Sequence, residues 1–311
     1  MTPPPARMMA DRIPPTLKQR VFRAGGWNVA GSGLSQAIRF VSNLVMTRLL
    51  VPEMFGVMAI ATMIMIGLMM FSDVGLRQNI VQSKRGNEAA FLNTAWVIQI
   101  LRGVLLWSLA LGVSLLVVFA NRMGIVPADS VYAEPSLPYV IAVVSISAVI
   151  MGFESTKLFE ASRNLSLGRV TQIELGSQIA GLLAMIGWVA IDRSIWPLVA
   201  GSICSTLVRT ILSHVWLPGT ANRWQWDNRA FHEIVHLGKW IFVASILGFL
   251  VNNGDRLLLG GLIDAAELGV YVIAFLIFNS VEQVLAKIMG DVAYPALSEV
   301  ARERPTDLKS T

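Results

Sequence analysis

The chain has 311 residues, of which 54% are apolar and only 14% charged, and a formal net charge of +5. Soluble domains carry roughly 25% charged residues, so this composition excludes a soluble globular fold. The apolar residues gather in runs of about 20, the length of a membrane-crossing helix, and do not alternate with polar residues as barrel strands do.

In chain order, residues 1–26 form a Pro- and Arg-rich lead-in without the short apolar stretch and small-residue cleavage site of a signal peptide. Eight apolar runs follow, at about 27–50, 54–72, 91–119, 138–159, 170–191, 195–217, 240–263 and 267–290. The fold class expected is all-α integral membrane, with about eight transmembrane helices. Lys and Arg are biased to alternate connections: Arg77, Lys84 and Arg85, then Lys157, Arg163 and Arg169, then Arg223, Arg229 and Lys239. The opposite loops hold only Arg48, Arg122 and Arg193. By the positive-inside rule the N-terminus is cytoplasmic. The same bias accounts for the net positive charge, so no nucleic-acid partner is expected. The lone Cys204 excludes an intrachain disulfide.

The stretch from Leu49 to Ala61 is echoed by Leu262 to Ala274, an offset of 213 residues that also carries Trp27 onto Trp240. The expected organisation is therefore a tail at 1–26, a six-helix lobe at 27–238, and the incomplete start of a second lobe at 239–311. Six spans are an even number, so the two copies run in the same direction as a parallel repeat.

Several spans carry a polar stripe at helical spacing. In the first it is Ser32, Ser35, Arg39 and Ser42; the echo sets these on Ser245, Gly248, Asn252 and Asp255. Arg102 lies in the third span, Glu154 in the fourth, Glu174 and Gln178 in the fifth, Arg209 in the sixth, Arg256 in the seventh, and Glu282 and Lys287 in the eighth. A charge at the bilayer centre costs at least about 2.5–3.5 kcal/mol, which favours facing a hydrated cavity. Arg39 and Arg102 are the deepest, and with Asn252 and Arg256 are the candidates for an anion-binding cavity. Arg209 and Lys287 fall near cytoplasmic span ends and are expected to snorkel. Arg256 is expected near the outer end, or paired with Asp255 or Glu282. Glu154, Glu174 and Asp255 are candidates for ion coupling, or for pairing with the cations. One motif points elsewhere. His232-Glu233-Ile234-Val235-His236 is a literal H-E-x-x-H, in which two histidines a turn apart hold zinc and the glutamate acts as base. Asp255 is the third ligand such a site would call on. The competing reading is an interfacial amphipathic helix.

The segment Thr47 to Gly56, with Leu49-Leu50-Val51-Pro52-Glu53-Met54-Phe55-Gly56, resembles the first-loop signature of bacterial polysaccharide flippases. So do Phe71-Ser72-Asp73-Val74-Gly75-Leu76, Leu237-Gly238-Lys239-Trp240 with Asn253-Gly254-Asp255-Arg256-Leu257-Leu258-Leu259-Gly260, Leu268-Gly269-Val270-Tyr271, and Tyr294-Pro295-Ala296-Leu297-Ser298. This is the polysaccharide-transporter branch of the multidrug, oligosaccharidyl-lipid and polysaccharide exporter superfamily. The resemblance implies two six-helix lobes around a cationic cavity. It also implies movement of an undecaprenyl-diphosphate-linked oligosaccharide across the inner membrane by alternating access, for O-antigen, exopolysaccharide or capsule synthesis. No enzyme activity and no cofactor are expected. The partners implied are the lipid-linked oligosaccharide, membrane lipid and other polysaccharide-assembly proteins. Arg39 and Arg102 would meet the diphosphate, while Arg48, Gly56, Asp73 and Gly269 belong to signature loops. The chain departs from the resemblance in length, and a fragment or truncated product is the expectation. Two other readings stay open: a cation-coupled multidrug exporter, and an intramembrane zinc protease on His232, Glu233 and His236.

Overall fold

The computed structural model describes the backbone of residues 17–72, 75–163 and 167–288. Side chains are described within these segments except at 17–30, 32, 78, 82, 167, 237–245, 280, 281 and 283–288. The described backbone is helical without strands. In chain order the helices are α1 (Leu17–Leu49), α2 (Pro52–Met70), α3 (Leu76–Gln82), α4 (Ala89–Arg122), α5 (Leu137–Val144), α6 (Ile146–Gly152), α7 (Lys157–Arg163), α8 (Leu167–Val189), α9 (Trp196–Val215), α10 (Asn228–Leu259) and α11 (Ala265–Ile288). Each predicted span falls on one long helix, apart from the fourth, which is α5, α6 and α7 in succession. Among the described residues α2, α4 and α9 are long and apolar enough to cross a membrane, and the α5–α7 unit is a fourth when taken as one span bent by 62°. At 33, 23, 32 and 24 residues, α1, α8, α10 and α11 have the length, but they carry polar stripes. Together these helices make an all-α membrane protein.

Local chemistry explains the breaks. Pro52 opens α2 at its first turn, where its missing N–H costs nothing. Gly75 precedes α3 with φ 61°, a left-handed conformation suited to glycine. Arg163 caps the other end of α3, donating through Nη1 to the carbonyls of Ile80, Val81 and Ser83. This short helix was not legible in the sequence, and it brings Arg77 to the bundle.

The main core joins α2, α4, α5 and the start of α11, with Ile60, Ala61, Ala110, Val140, Ile141 and Leu268 fully buried. The two echoed segments meet within it. A Cβ on Gly56 would stand 2.2 Å from the carbonyl oxygen of Ala265, and one on Gly269 would stand 1.8 Å from that of Pro52. The offset of 213 turns Pro52 into Ala265 and Gly56 into Gly269. Each copy therefore presents its glycine to the other's helix start, a reciprocal contact of the kind a two-fold axis generates. The flanks repeat it: Gly260, the residue that ends α10, abuts Ile60 of α2, while their equivalents Thr47 of α1 and Ile273 of α11 line one crevice.

A second, smaller core sits at the end of the bundle that holds the basic loops. Leu76, Ile80, Phe91, Leu92, Ala95, Ala230 and Ile234 are buried there together. It seats the start of α10 on α3 and α4, aided by hydrogen bonds from Asp227 N to Thr94 Oγ1 at 2.9 Å and from Asn79 Nδ2 to Ile234 O at 3.3 Å. The H-E-x-x-H segment is thus no separate interfacial helix. It continues into the seventh span, and 32 residues extend about 48 Å.

Candidate functional site

A cavity of about 350 Å³ lies toward the basic end, lined by polar side chains from three helices and one helix break. Arg77 comes from α3, Gln99 and Arg102 from α4, Arg209 from α9, and Glu154 from the break between α6 and α7. Leu76, Leu106, Met69, Met151 and Phe159 complete the wall. Every lining residue belongs to the first of the two sequence repeats.

Close packing of α4 on α6 sets the geometry. A Cβ at Gly103 would meet the carbonyl of Ala148 at 2.5 Å, and one at Gly152 would meet Ile100 Cα at 3.1 Å. With the backbones this close, Gln99 Nε2 reaches the carbonyls of Met151, Gly152 and Glu154 at 2.8, 3.2 and 3.1 Å. Gln99 adds a donor to carbonyls at the α6–α7 break, where a membrane interior supplies no water. Arg102 reaches the end of α2, donating from Nε to Ser72 Oγ at 2.9 Å and from Nη2 to Met69 O at 2.6 Å. Glu154 stands 2.8 Å from Arg209 Nε, a pair buried on the acid side and half-exposed on the arginine side. Among the described residues, three guanidiniums and one carboxylate therefore share one mostly apolar-walled space, a combination suited to an anion with several oxygens.

The candidates from the sequence distribute unevenly. Arg102 and Glu154 line this cavity. Arg209, expected to snorkel, is turned into it by Glu154. Arg39 is exposed on α1 and is not among the lining residues. Its neighbour on the same stripe, Ser35, bonds to Gln178 of α8 through Oγ and the amide at 3.1 and 2.7 Å. Part of the stripe therefore serves helix packing. Asn252 donates to Gly248 O of its own helix at 2.7 Å. Glu174 is exposed on α8. Asp255 accepts the Tyr271 hydroxyl at 2.7 Å. Arg256 is buried, with its guanidinium 3.5 Å from the centre of the Phe275 ring, rather than ion-paired with Asp255 or Glu282. Arg48 is exposed at the last turn of α1, and Gly56 and Gly269 make the reciprocal contact. Asp73 lies outside the described residues, as do the side chains of Ser32, Ser245 and Lys287.

The zinc motif is occupied otherwise. His232 Nδ1 contacts Asn228 O at 2.7 Å, and Glu233 Oε1 accepts the Ser83 hydroxyl. Asp255 lies 23 residues beyond His232 on the same helix, about 35 Å away at 1.5 Å per residue. No group of three potential ligands converges among the described residues.

Comparison with known proteins follows the same direction. The chain is 20% identical to the lipopolysaccharide biosynthesis protein WzxC of Escherichia coli (strain K12), over 92% of this chain and 56% of the relative. It is 23% identical to the succinoglycan biosynthesis transport protein ExoT of Rhizobium meliloti (strain 1021), over 93% of the chain and 56% of the relative. To an uncharacterized membrane protein in the cps region of Klebsiella pneumoniae it is 22% identical, over 93% of the chain and 58% of the relative. The chain thus spans a little over half the length of these relatives. No solved structure matches it significantly. The profile of polysaccharide biosynthesis proteins matches residues 45–310, from the end of α1 onward through the cavity and both echoed segments, and on that match the chain belongs to the polysaccharide biosynthesis protein family.

Proposed function

We propose that this chain forms part of a flippase that carries a polyprenyl-diphosphate-linked oligosaccharide across the bacterial inner membrane for cell-surface polysaccharide synthesis. The observation that carries the reading is the arginine-lined cavity set inside an apolar helix bundle. The diphosphate would enter from the basic end, taken here as cytoplasmic with the N-terminus on the same side. Arg77, Arg102 and Arg209 would hold its oxygens while the polyprenyl tail stays in lipid. Arg39, Asn252 and Arg256 would act on the ligand only along a later part of its path. Of the three ion-coupling candidates, Glu154 is the one on the cavity wall. Transport would follow from rocking of the two repeats about the α2–α11 contact.

The test is leaflet accessibility of a fluorescent diphosphate-linked oligosaccharide in proteoliposomes. Arg77→Gln with Arg102→Gln should slow flipping by roughly tenfold or more, the equivalent of about 1.4 kcal/mol or more of lost anion binding. Arg39→Ala should matter less than Arg102→Ala. Unchanged flipping in the Arg39→Ala plus Arg102→Ala variant would remove those two arginines from the path.

A further inference from the structure

Glu154 is the single carboxylate on the cavity wall among the described residues, and its setting is unusual. Its side chain is 8% exposed, yet it lies 2.8 Å from Arg209 Nε, whose side chain is 40% exposed. The contact is close but poorly aligned, since Glu154 Oε1 accepts no well-directed hydrogen bond. A guanidinium and a carboxylate at full strength meet in a two-point fork. This pair meets at one point, Arg209 Nε against Glu154 Oε1.

The two partners differ in freedom. Glu154 sits on the helix break, and that break is clamped from three sides. Gln99 holds the Glu154 carbonyl at 3.1 Å. Ser155 N donates to Ser213 Oγ at 2.9 Å. Asn222 Oδ1 accepts from Ser155 Oγ and Thr156 N at 2.8 and 3.2 Å, and its Nδ2 donates back to Thr156 Oγ1 at 2.6 Å. Thr210 Oγ1 adds a bond to Ile150 O at 3.2 Å. Arg209 has no such anchor in view. It is a long side chain on the cavity wall, one residue before Thr210 on α9, and is 40% exposed. Any exchange of partners is therefore made by Arg209.

From this asymmetry we infer that Glu154 is an internal counter-anion: it holds Arg209 while the cavity is empty and surrenders it to the phosphate oxygens of an entering lipid-linked diphosphate. The inference rests on the diphosphate reading of the cavity and adds how the ligand leaves. A diphosphate offers more charge and more oxygens than one carboxylate, and the guanidinium fork matches phosphate at two points. It therefore wins Arg209 on arrival. When it departs, the Glu154–Arg209 pair re-forms at once, so release does not strand a cation in a partly dry cavity. The cost of that arrangement is weaker binding, which suits a site that must let go.

The experiment is calorimetric titration of inorganic pyrophosphate into the full chain in lipid nanodiscs. Glu154→Gln should bind roughly three- to tenfold more tightly than the unaltered chain, the scale of one partly screened charge pair. Arg209→Gln should bind more weakly, and adding Glu154→Gln to it should give no gain, because the carboxylate acts through that arginine. Glu154→Asp keeps the charge but shortens its reach, so it should fold and show a smaller gain. Undecaprenyl diphosphate in the nanodisc should compete with pyrophosphate. Unchanged or weaker binding in both Glu154 variants would overturn the inference, and so would an equal gain in the Arg209→Gln background. If Arg77→Gln and Arg102→Gln weaken binding while the Glu154 variants do not change it, the counter-anion fails and the cavity reading stands. If the unaltered chain binds no pyrophosphate, the cavity reading fails and takes this inference with it. Failure of the lipid to compete would assign the site to a soluble anion and overturn the lipid-linked form.

Discussion

Gly56 and Gly269 are the residues on which the two sequence copies meet, and the atoms they face are backbone. A backbone carbonyl 1.8 or 2.2 Å from a new Cβ cannot swing aside as a side-chain tip would. Gly269→Val should therefore destabilise the protein by about 1–3 kcal/mol, read as a lower melting temperature in detergent. Gly112→Ala, where nothing lies within 4 Å, removes a helix-interior glycine and should be neutral or stabilising by about 0.5–1 kcal/mol. Equal melting of Gly269→Val and the unaltered chain would mean the contact is not formed as described. The echo marks these two glycines as equivalent, but it cannot say that each packs on the other's helix. The arginines follow the same pattern. Depth along a helix is readable, and it picks Arg39 and Arg102 alike; only neighbours distinguish an exposed Arg39 from a cavity-lining Arg102. Arg77 rides on α3, whose seven residues are too short to show a period. Arg209 reads as a snorkelling end residue until Glu154 is set beside it.

At the scale of elements, the breaks and starts of helices were the least legible parts. Nothing in the apolar run at 138–159 announces a 62° bend. The hydroxyls and amides that clamp it come from Gln99, Thr210, Ser213 and Asn222, far away in sequence. The start of α10 was incompletely legible for a related reason. The pattern suggests an amphipathic helix, and the neighbours show what its apolar face packs on: Ala230 and Ile234 are fully buried against α3 and α4. Asp227 fixes this start. It accepts from Arg85 Nη2 at 2.7 Å and from Arg229 N at 2.8 Å. The Arg85 hydrogen bond first, and the Arg229 backbone N–H second, hold its carboxyl below the usual range. A depressed carboxylate contributes stability that is complete above its unfolded value, near pH 4, and is lost as pH falls through the lower folded value. Amide exchange in the first turn of α10, corrected for intrinsic rates, should accelerate as pH falls below about 4. Asp227→Asn keeps a capping oxygen but removes the charge, and should flatten that dependence. The same steep dependence in Asp227→Asn would assign it to another group.

Over the whole molecule, the two ends differ in how tightly they are joined. The basic end contains the cavity. The opposite end is closed by contacts between the two repeats. The Gly56 and Gly269 contacts lie there, and the loop after α4 bonds to the end of α10, with Val131 N donating to Gly260 O at 3.2 Å and Tyr132 Oη to Leu257 O at 3.0 Å. A Cβ on Gly261 would lie 3.7 Å from the Tyr132 ring. These bonds satisfy carbonyls at a helix terminus, so separating them exposes groups that must find water. If the chain works by rocking, this end must part while the basic end closes. In a Cys204→Ser background, cysteines at positions 132 and 261 joined by a short cleavable thiol cross-linker would hold it shut. Flipping should fall to background when joined and return when the linker is cut. Pyrophosphate binding at the cavity should not change, because no cavity residue is altered and the basic end stays accessible. Full flipping with the linker intact would show that this end does not open during transport, and the ligand would then need a path that leaves the Val131–Gly260 bond in place.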